Sequence, residues 1–429
     1  LRALDSSLDE KKKAEEFGWR YYLPEAEQEE EVQQKLVEIR KDFAGLEPKD
    51  INCIDPCMGS GHILVYMFDV LMDIYKSEGF GERESVFSIL ENNIRGLDID
   101  KRAYQLSYFA LMMKAREYNR TFFRGVKDEN GERRFVEPIV FDIEESNDIN
   151  REQLKYFGAD MDVAYKNAAV DQMIGLLDAL TDAKEYGSIL DVEEYDWALL
   201  KRFASAVSMD GQISFDTLGL DETQKKLKRL IAQGQVMAGK YWVVSTNPPY
   251  MGISNGNEKL NEYVKKIYPD SRTDLFAVFI EKCQKFLREN GLQAMITQHS
   301  WMFLASFEKL RIKMQAVDIV NMAHLGARAF EEIGGEVVQT TSFVIGKKHV
   351  INYKGTYCRL VEPTTQQGKE EMFLVGENRY LATQDKFSRI SGNPVAYWIS
   401  SNVFDIYNNA KLCSVLDCKS GIMTGSDVY

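Results

Sequence analysis

An amide, two prolines and an aromatic ring stand together at Asn247-Pro248-Pro249-Tyr250, directly after the strand-like run Tyr241-Trp-Val-Val-Ser-Thr246. Two consecutive prolines stop a strand and stiffen the backbone that follows. They would present the amide and the ring at the carboxyl edge of a sheet, where open α/β folds bind ligands. The chemistry that suits this set is methylation of a planar amino nitrogen, whose lone pair is delocalised into its ring or carbonyl. The Asn247 side-chain oxygen and the Pro248 carbonyl can accept the two N–H bonds of such a nitrogen. That favours a more tetrahedral form with an available lone pair, while Tyr250 stacks on the ring that carries it. Taken alone, the same four residues equally describe a Pro-Pro turn closing a buried strand.

A second constellation lies upstream. In Ile54-Asp55-Pro56-Cys57-Met58-Gly59-Ser60-Gly61-His62, small residues follow a short apolar run. Beyond them Ile63, Met67, Val70, Leu71 and Ile74 fall at helical spacing, so a helix starts directly after the glycines. A strand, a small-residue turn and a helix N-terminus can receive a ligand against bare backbone N–H groups. A lone Gly-x-Gly also fits a tight turn in any doubly wound sheet, but two details sharpen the reading. Leu64 stands where a dinucleotide fingerprint needs its third glycine, which disfavours pyrophosphate and with it a nicotinamide dehydrogenase. Asp55 precedes the glycines, which suits a cationic or amine-bearing ligand better than a phosphate. No Gly-x-x-x-x-Gly-Lys-Ser/Thr occurs, so the chain is not a P-loop hydrolase.

A further short strand, Asn93-Ile-Arg-Gly-Leu-Asp98, ends in carboxylates before a helix beginning near Arg102. In Rossmann-like sheets the acid ending the second strand accepts hydrogen bonds from ribose hydroxyls, which points to Asp98. Asp100, closest to the helix start, fits an N-cap. A third strand, Pro138-Ile-Val-Phe141, ends at Asp142. That carboxylate can accept from the amino group of an adenine ring, or can belong to a solvated acidic loop.

Together these residues carry a resemblance. The chain resembles the S-adenosylmethionine-dependent adenine-N6 DNA methyltransferases, and among them it is similar to the PglX-like enzymes of BREX phage-defence systems. Asp55-Pro-Cys-Met-Gly-Ser-Gly61, Gly96-Leu-Asp-Ile-Asp100 and Asn247-Pro-Pro-Tyr250 match the family's cofactor loop, ribose-binding strand and catalytic motif in order. Longer similar stretches, such as Ala294-Met-Ile-Thr-Gln-His-Ser-Trp-Met-Phe303 and Ala323-His-Leu-Gly-Ala-Arg-Ala-Phe330, extend the resemblance over roughly residues 50 to 346. It implies S-adenosyl-L-methionine bound by Asp55, Pro56, Gly59, Ser60, Gly61, Asp98 and Asp142, with Asn247, Pro248, Pro249 and Tyr250 catalytic. It implies double-stranded DNA as substrate and other BREX proteins as partners. Members also carry a Thr-Pro-containing segment before the first strand, and residues 1–50 show none. Ser420 to Tyr429 resembles the entry to a target-recognition domain. With Leu1 in place of an initiator Met, these features predict a catalytic core belonging to a longer protein.

Composition bounds the alternatives. The 429 residues are 45% hydrophobic, ordinary for a globular core, with no run of eighteen apolar residues and no signal-peptide pattern. No membrane association is expected. Six scattered cysteines without a Cys-x-x-Cys pair, and only four histidines, give no zinc spacing. They predict reduced thiols in a cytosolic protein and no metal site, with Cys57 a small buried residue. A net charge of −13 argues against a DNA partner, because phosphate contacts need cations. Basic residues nevertheless gather at Lys225-Lys-Leu-Lys-Arg229 and at Lys259, Lys265, Lys266 and Arg272. Each run reads more simply as a solvated helix face.

The elements needed to position these residues form an alternating α/β pattern, with strands expected near 52–55, 94–98, 138–141, 241–246, 293–297, 319–324 and 337–345. Gln339 to Ile345 reads as an edge or antiparallel strand. Leu275 to Leu287 reads as a helix with a core-facing stripe, capped near Thr273 or Asp274 and closed by Gly291. The expected fold is Rossmann-like α/β, of the class I S-adenosylmethionine-dependent methyltransferase type. Residues 1–50 form a helical lead-in, and residues 51–350 the methyltransferase domain with a helical insertion over 150–240. Residues 351–429 form a strand and helix connection, helical over 391–419, into a truncated target-recognition domain. The reading that follows is a site-specific adenine-N6 methyltransferase acting on a flipped base in phage defence. The alternatives are a DNA-binding defence component whose methylation is secondary, and an enzyme acting on RNA or protein glutamine. His62 and His299 are not needed as catalysts and read as polar residues fitted to the sheet edge.

Overall fold

The motif-bearing segments form one half of a single sheet. The computed structural model describes residues 10–127, 131–207, 219–330 and 338–400. In it β1 (Cys53–Asp55), β2 (Ile94–Asp98), β3 (Ile139–Asp142) and β4 (Tyr241–Thr246) pair in parallel. The other half contains β5 (Leu287–Gln298), β6 (Ile319–Ala327), β7 (Gln339–Gly346), β8 (Lys354–Arg359) and β9 (Arg379–Thr383). The order across the sheet is β9-β8-β6-β7-β5-β4-β1-β2-β3. β7 runs antiparallel to β5 and β6, so the reversed strand expected at 339–345 is present, inside the sheet and not at its edge. The direction of winding changes between β1 and β4, and such a switch point opens a crevice at the carboxyl ends of the strands. The Rossmann-like class is the one observed.

Helices cover both faces: α1 (Glu30–Arg40), α2 (His62–Ser77), α3 (Lys101–Tyr118), α4 (Val163–Ala179), α5 (Trp197–Ser205), α6 (Leu220–Ala238), α7 (Glu258–Ile267) and α8 (Leu275–Phe286). α2 and α3 pack on the β1–β3 side around Leu64, Phe68, Leu71, Leu111 and Val140. Phe68 has no exposed surface, and its truncation to Ala would cost about 3–5 kcal/mol. The helix after the glycines forms as expected, and its buried stripe is Leu64, Phe68, Leu71, Met72, Ile74 and Tyr75. Of the stripe that simple spacing suggested, Leu71 and Ile74 are buried, whereas Ile63, Met67 and Val70 lie half-buried beside it. Burial of both sides of the helix start, under β2 and against α3, makes the apolar pattern there too broad to fix a phase.

The larger core joins α4, α5, α6 and α8 to the sheet through Leu176, Trp197, Leu230, Phe276, Ile54 and Val244. The α8 stripe of Leu275, Phe276, Phe279, Ile280, Cys283 and Phe286 is buried there, as a core face. α8 ends at Phe286, before Gly291, and β5 starts at the next residue. Asn290 takes a positive φ of 63° and the pairing register with β4 shifts beside it, so the chain turns within the strand where a glycine break was expected. At the other end Val32 and Leu36 of α1 pack on Val350 and Tyr353, while the Gln28 side chain donates to the Lys354 carbonyl at 2.8 Å and accepts from its N–H at 2.9 Å. Residues 391–400 contain no helix; the rest of the expected helical connection, and Ser420–Tyr429, lie outside the described residues.

Candidate active site

β1 delivers Asp55 to the crevice and then breaks. Gly59 and Gly61 have φ of 51° and 88°, which allows the turn to fold back so that α2 begins at His62. A side chain on Gly61 would collide with Ser107 of α3, whereas the space around Gly59 is open to 4 Å. The turn is tied to β2 by Met58 N–H to the Leu97 carbonyl at 3.0 Å and by Gly59 N–H to Asp98 Oδ2 at 2.9 Å. Asp98 Oδ1 accepts from Asp100 N–H at 2.8 Å, and Asp100 in turn caps α3 by accepting from Arg102 N–H at 2.7 Å. Each Asp98 oxygen therefore keeps a lone pair, since a carboxylate offers about four acceptor sites in all. Ser60 is exposed on the turn and Pro56 buried.

Asp55 is fully buried. Its Oδ1 accepts from the Thr246 hydroxyl at 2.7 Å and from Cys57 N–H at 3.0 Å, while Oδ2 has no partner. Burial pushes its pKa up to about 7, opposed by the bonds from Thr246 and Cys57, with the Asp98 charge adding to the rise. Cys57 is a half-buried free thiol whose pKa is raised well above the usual value by burial and by the neighbouring carboxylate, so it is no ready nucleophile. The loop is braced from below by Ser188, whose hydroxyl donates to the Pro56 carbonyl at 2.6 Å.

Thr246 ends β4 beside β1, and the next residue is Asn247. Asn247 and Pro249 are exposed, Pro248 is buried and Tyr250 half-buried. The Tyr250 hydroxyl donates to the Ile296 carbonyl of β5 at 3.2 Å, and its ring packs edge-on to Phe276. Asp274 fixes the following turn: one oxygen accepts from Met251 N–H at 3.1 Å and from Phe276 N–H at 3.2 Å, capping α8 at the same time. Thr246, Ser188 and the loop-holding role of Asp274 were missed in the sequence, although the position of Thr246 next to Asn247 was a usable signal.

Asp142 ends β3, beside Asp98 in register. It is paired with Arg229 of α6, which also pairs with Glu144 and lies over the Tyr104 ring. Ile99, Asp100, Asp142, Glu144, Lys225 and Arg229 line a cleft of about 710 Å³ at this end of the crevice. Asp142 is thus part of the cleft and not of a solvated loop. Of the two basic runs, Lys226 pairs with Asp148 and Lys259 with Asp182, while Lys265, Lys266 and Arg272 are exposed. His62 is exposed at the start of α2. His299 Nδ1 lies 2.8 Å from His324 Nε2, and burial lowers the pKa of both rings, that of His324 to about 3. Among the described residues no group of three or more His, Cys, Asp or Glu is placed to hold a metal ion, and no helix is long and apolar enough to cross a membrane.

Residues 92–330 match the model of the Eco57I restriction-modification methylase family. The chain is 39% identical over 440 residues to the adenine-specific methyltransferase PglX of Lacticaseibacillus casei (strain Zhang), covering 100% of this chain and 35% of that protein. It is 39% identical over 393 residues to the adenine-specific methyltransferase BrxX of Escherichia coli O9:H4 (strain HS), covering 88% of this chain and 32% of the relative. The chain thus spans about a third of the length of these relatives. A solved structure of a nuclease-deletion mutant of the Type ISP restriction-modification enzyme LlaGI with a DNA substrate mimic is similar at a TM-score of 0.48 and 13% identity, covering 86% of this chain and 26% of that one.

Proposed function

The chain belongs to the Eco57I restriction-modification methylase family, and from that premise we propose that the full protein is a site-specific DNA methyltransferase. It transfers a methyl group from S-adenosyl-L-methionine to the exocyclic N6 of an adenine flipped out of the duplex. The observation that carries this reading is the joining of the two loops: Asp55 of the glycine turn accepts directly from Thr246, the residue before Asn247-Pro-Pro-Tyr250. A cofactor loop and a set of amine-nitrogen acceptors thereby share one crevice.

The residues fit S-adenosyl-L-methionine. Asp55 Oδ2 lacks a donor that the protein supplies, which suits the methionine amino group. Gly59 leaves open space beside bare backbone, and Asp98 retains acceptor capacity for ribose hydroxyls. The cleft beyond, ending in Asp142, has room for the adenine. When bound, the cofactor supplies a methyl group on a sulfonium, already an excellent leaving group. The chain's own residues then contribute position and charge placement. Asn247 and the Pro248 carbonyl accept from the target amino group, and these bonds strengthen as its nitrogen gains positive charge. Tyr250, held by Ile296 and Phe276, offers its ring as a stacking platform for a base taken out of the helix.

Similarity to relatives named adenine-specific methyltransferases supports an adenine amino group over a protein glutamine, and membership of a restriction-modification methylase family supports DNA over RNA. The names PglX and BrxX support a place among BREX phage-defence proteins; marking of the cell's own DNA, in the cytoplasm and alongside other BREX proteins, is the role we propose with it. Sequencing DNA for modified adenine from cells with and without the full-length gene tests the reading. A methylated adenine at one recurrent motif, lost with the gene, is expected; identical adenine modification in both strains contradicts it.

A further inference from the structure

Thr246 is 1% exposed and Asp55 is fully buried, so the hydroxyl between them cannot exchange its partner for water. The Thr246 hydroxyl donates at 2.7 Å to one carboxylate oxygen, and the other oxygen of the same carboxylate is an orphan. Leaving a buried acceptor unpaired costs free energy, so either a proton or an incoming donor must satisfy it. Resting on the cofactor reading above, we infer that Thr246 is a positioning residue. Through Asp55 it fixes the strand end that carries Asn247 to the group that receives the cofactor's amino function. Cofactor binding and the placement of Asn247 are then two consequences of one hydrogen bond.

The geometry gives the link direction. Asn247 follows Thr246 without an intervening residue, and the two prolines after it allow no slack to absorb a shift. Cys57 N–H, on the same Asp55 oxygen, ties the glycine turn to that point as well. A displacement of the Asp55 carboxylate therefore reaches both loops. The titratable groups facing it are Asp98 from β2, Cys57 from its own loop and Cys283 from α8. None is a cation, so the Thr246 hydroxyl and the Cys57 N–H are what hold Asp55 in its charged form. With its folded pKa at about 7, above that of an unfolded Asp, the ligand-free fold binds the extra proton between pH 4 and 7. The contribution of Asp55 to stability therefore falls as pH rises through that window, and its readiness to accept from an amine rises.

The test uses the full-length protein with Thr246 intact, Thr246→Ser and Thr246→Val, measuring S-adenosylmethionine affinity by calorimetry from pH 6 to 8 and turnover on DNA. The parent should bind more tightly as pH rises through about 7. Thr246→Val, which keeps shape and loses the donor, should bind on the order of 10-fold more weakly at neutral pH. Its pH midpoint should move upward and its turnover at saturating cofactor should fall too. Thr246→Ser should restore all three. A Val variant with the parent's affinity and midpoint overturns the inference, as does a Ser variant as impaired as Val, since the lost methyl would then be the cause. If the Val variant does not fold, Thr246→Ala takes its place, and an Ala variant with the parent's affinity and turnover overturns the inference. A parent that binds cofactor and methylates DNA while failing these tests leaves the proposed function standing; a parent that binds no cofactor removes both.

Discussion

A carboxylate at the end of a second parallel strand can serve a ligand, the fold or both, and Asp98 does the second visibly. It holds Gly59 N–H with one oxygen and Asp100 N–H with the other. If it also receives ribose hydroxyls, Asp98→Ala in the full-length protein should weaken S-adenosylmethionine binding by about 1.5–3 kcal/mol, the range for hydrogen bonds to a charged group. Calorimetry showing the parent's affinity would restrict Asp98 to shaping the turn. The residues of local motifs were legible because each motif is contiguous. Their partners were not: Thr246 lies 191 residues from Asp55, Ser188 132 from Pro56 and Arg229 87 from Asp142. Only the folded sheet and its helical cover bring these pairs together, and no periodicity in one chain encodes them.

At the scale of elements, the Asn247-to-Tyr250 loop depends on α8 as much as on β4. Asp274 caps that helix and holds Met251, so one side chain sets both the helix start and the exit from Tyr250. Asp274→Ala should cost about 1–2 kcal/mol of stability, as for other lost N-caps. Turnover should fall as the loop loosens, with cofactor affinity held within about twofold, because Asp55 and Asp98 are untouched. A denaturant melt and paired binding and rate measurements check this; unchanged turnover would place loop control elsewhere. The strands ending in Asp55, Asp98, Asp142 and Thr246 were visible in sequence because short β-branched runs there stop at acids, glycines or prolines. The start of β5 was not, because the chain passes from α8 to strand with no breaker and turns at Asn290 instead. The face of α2 was legible only in part, at Leu71 and Ile74, since burial on two sides blurs its periodicity.

For the whole molecule, a charge of −13 must be reconciled with the polyanionic substrate proposed for it. Part of the answer is placement. Lys226, Arg229 and Lys259 are engaged by acids of the chain itself, whereas Lys265, Lys266 and Arg272 stand exposed after the Asn247-to-Tyr250 loop. Replacing these three by Glu in the full-length protein should flatten the dependence of log affinity on log salt, by about 0.9 for each phosphate no longer neutralised. DNA binding measured from 50 to 200 mM salt reads this directly, and an unchanged slope would assign phosphate binding to another surface. Because the chain spans about a third of its relatives' length, residues 1–429 alone are predicted to bind DNA more weakly and with less site preference than the full-length protein, base-edge contacts being what specify sequence. Efficient methylation of one defined sequence by this portion alone would show that site choice already resides in it.

The proposed action of Asn247 on an adenine amino nitrogen in this crevice is open to direct measurement. The most direct measurement incubates full-length parent and Asn247→Ala with S-adenosylmethionine and duplex DNA, digests the DNA and quantifies N6-methyladenine, with cofactor affinity measured alongside. The parent should form N6-methyladenine, and the variant should form it about 100- to 1000-fold more slowly while binding cofactor as the parent does. Equal rates in the two proteins, or a parent that methylates no adenine, would contradict it.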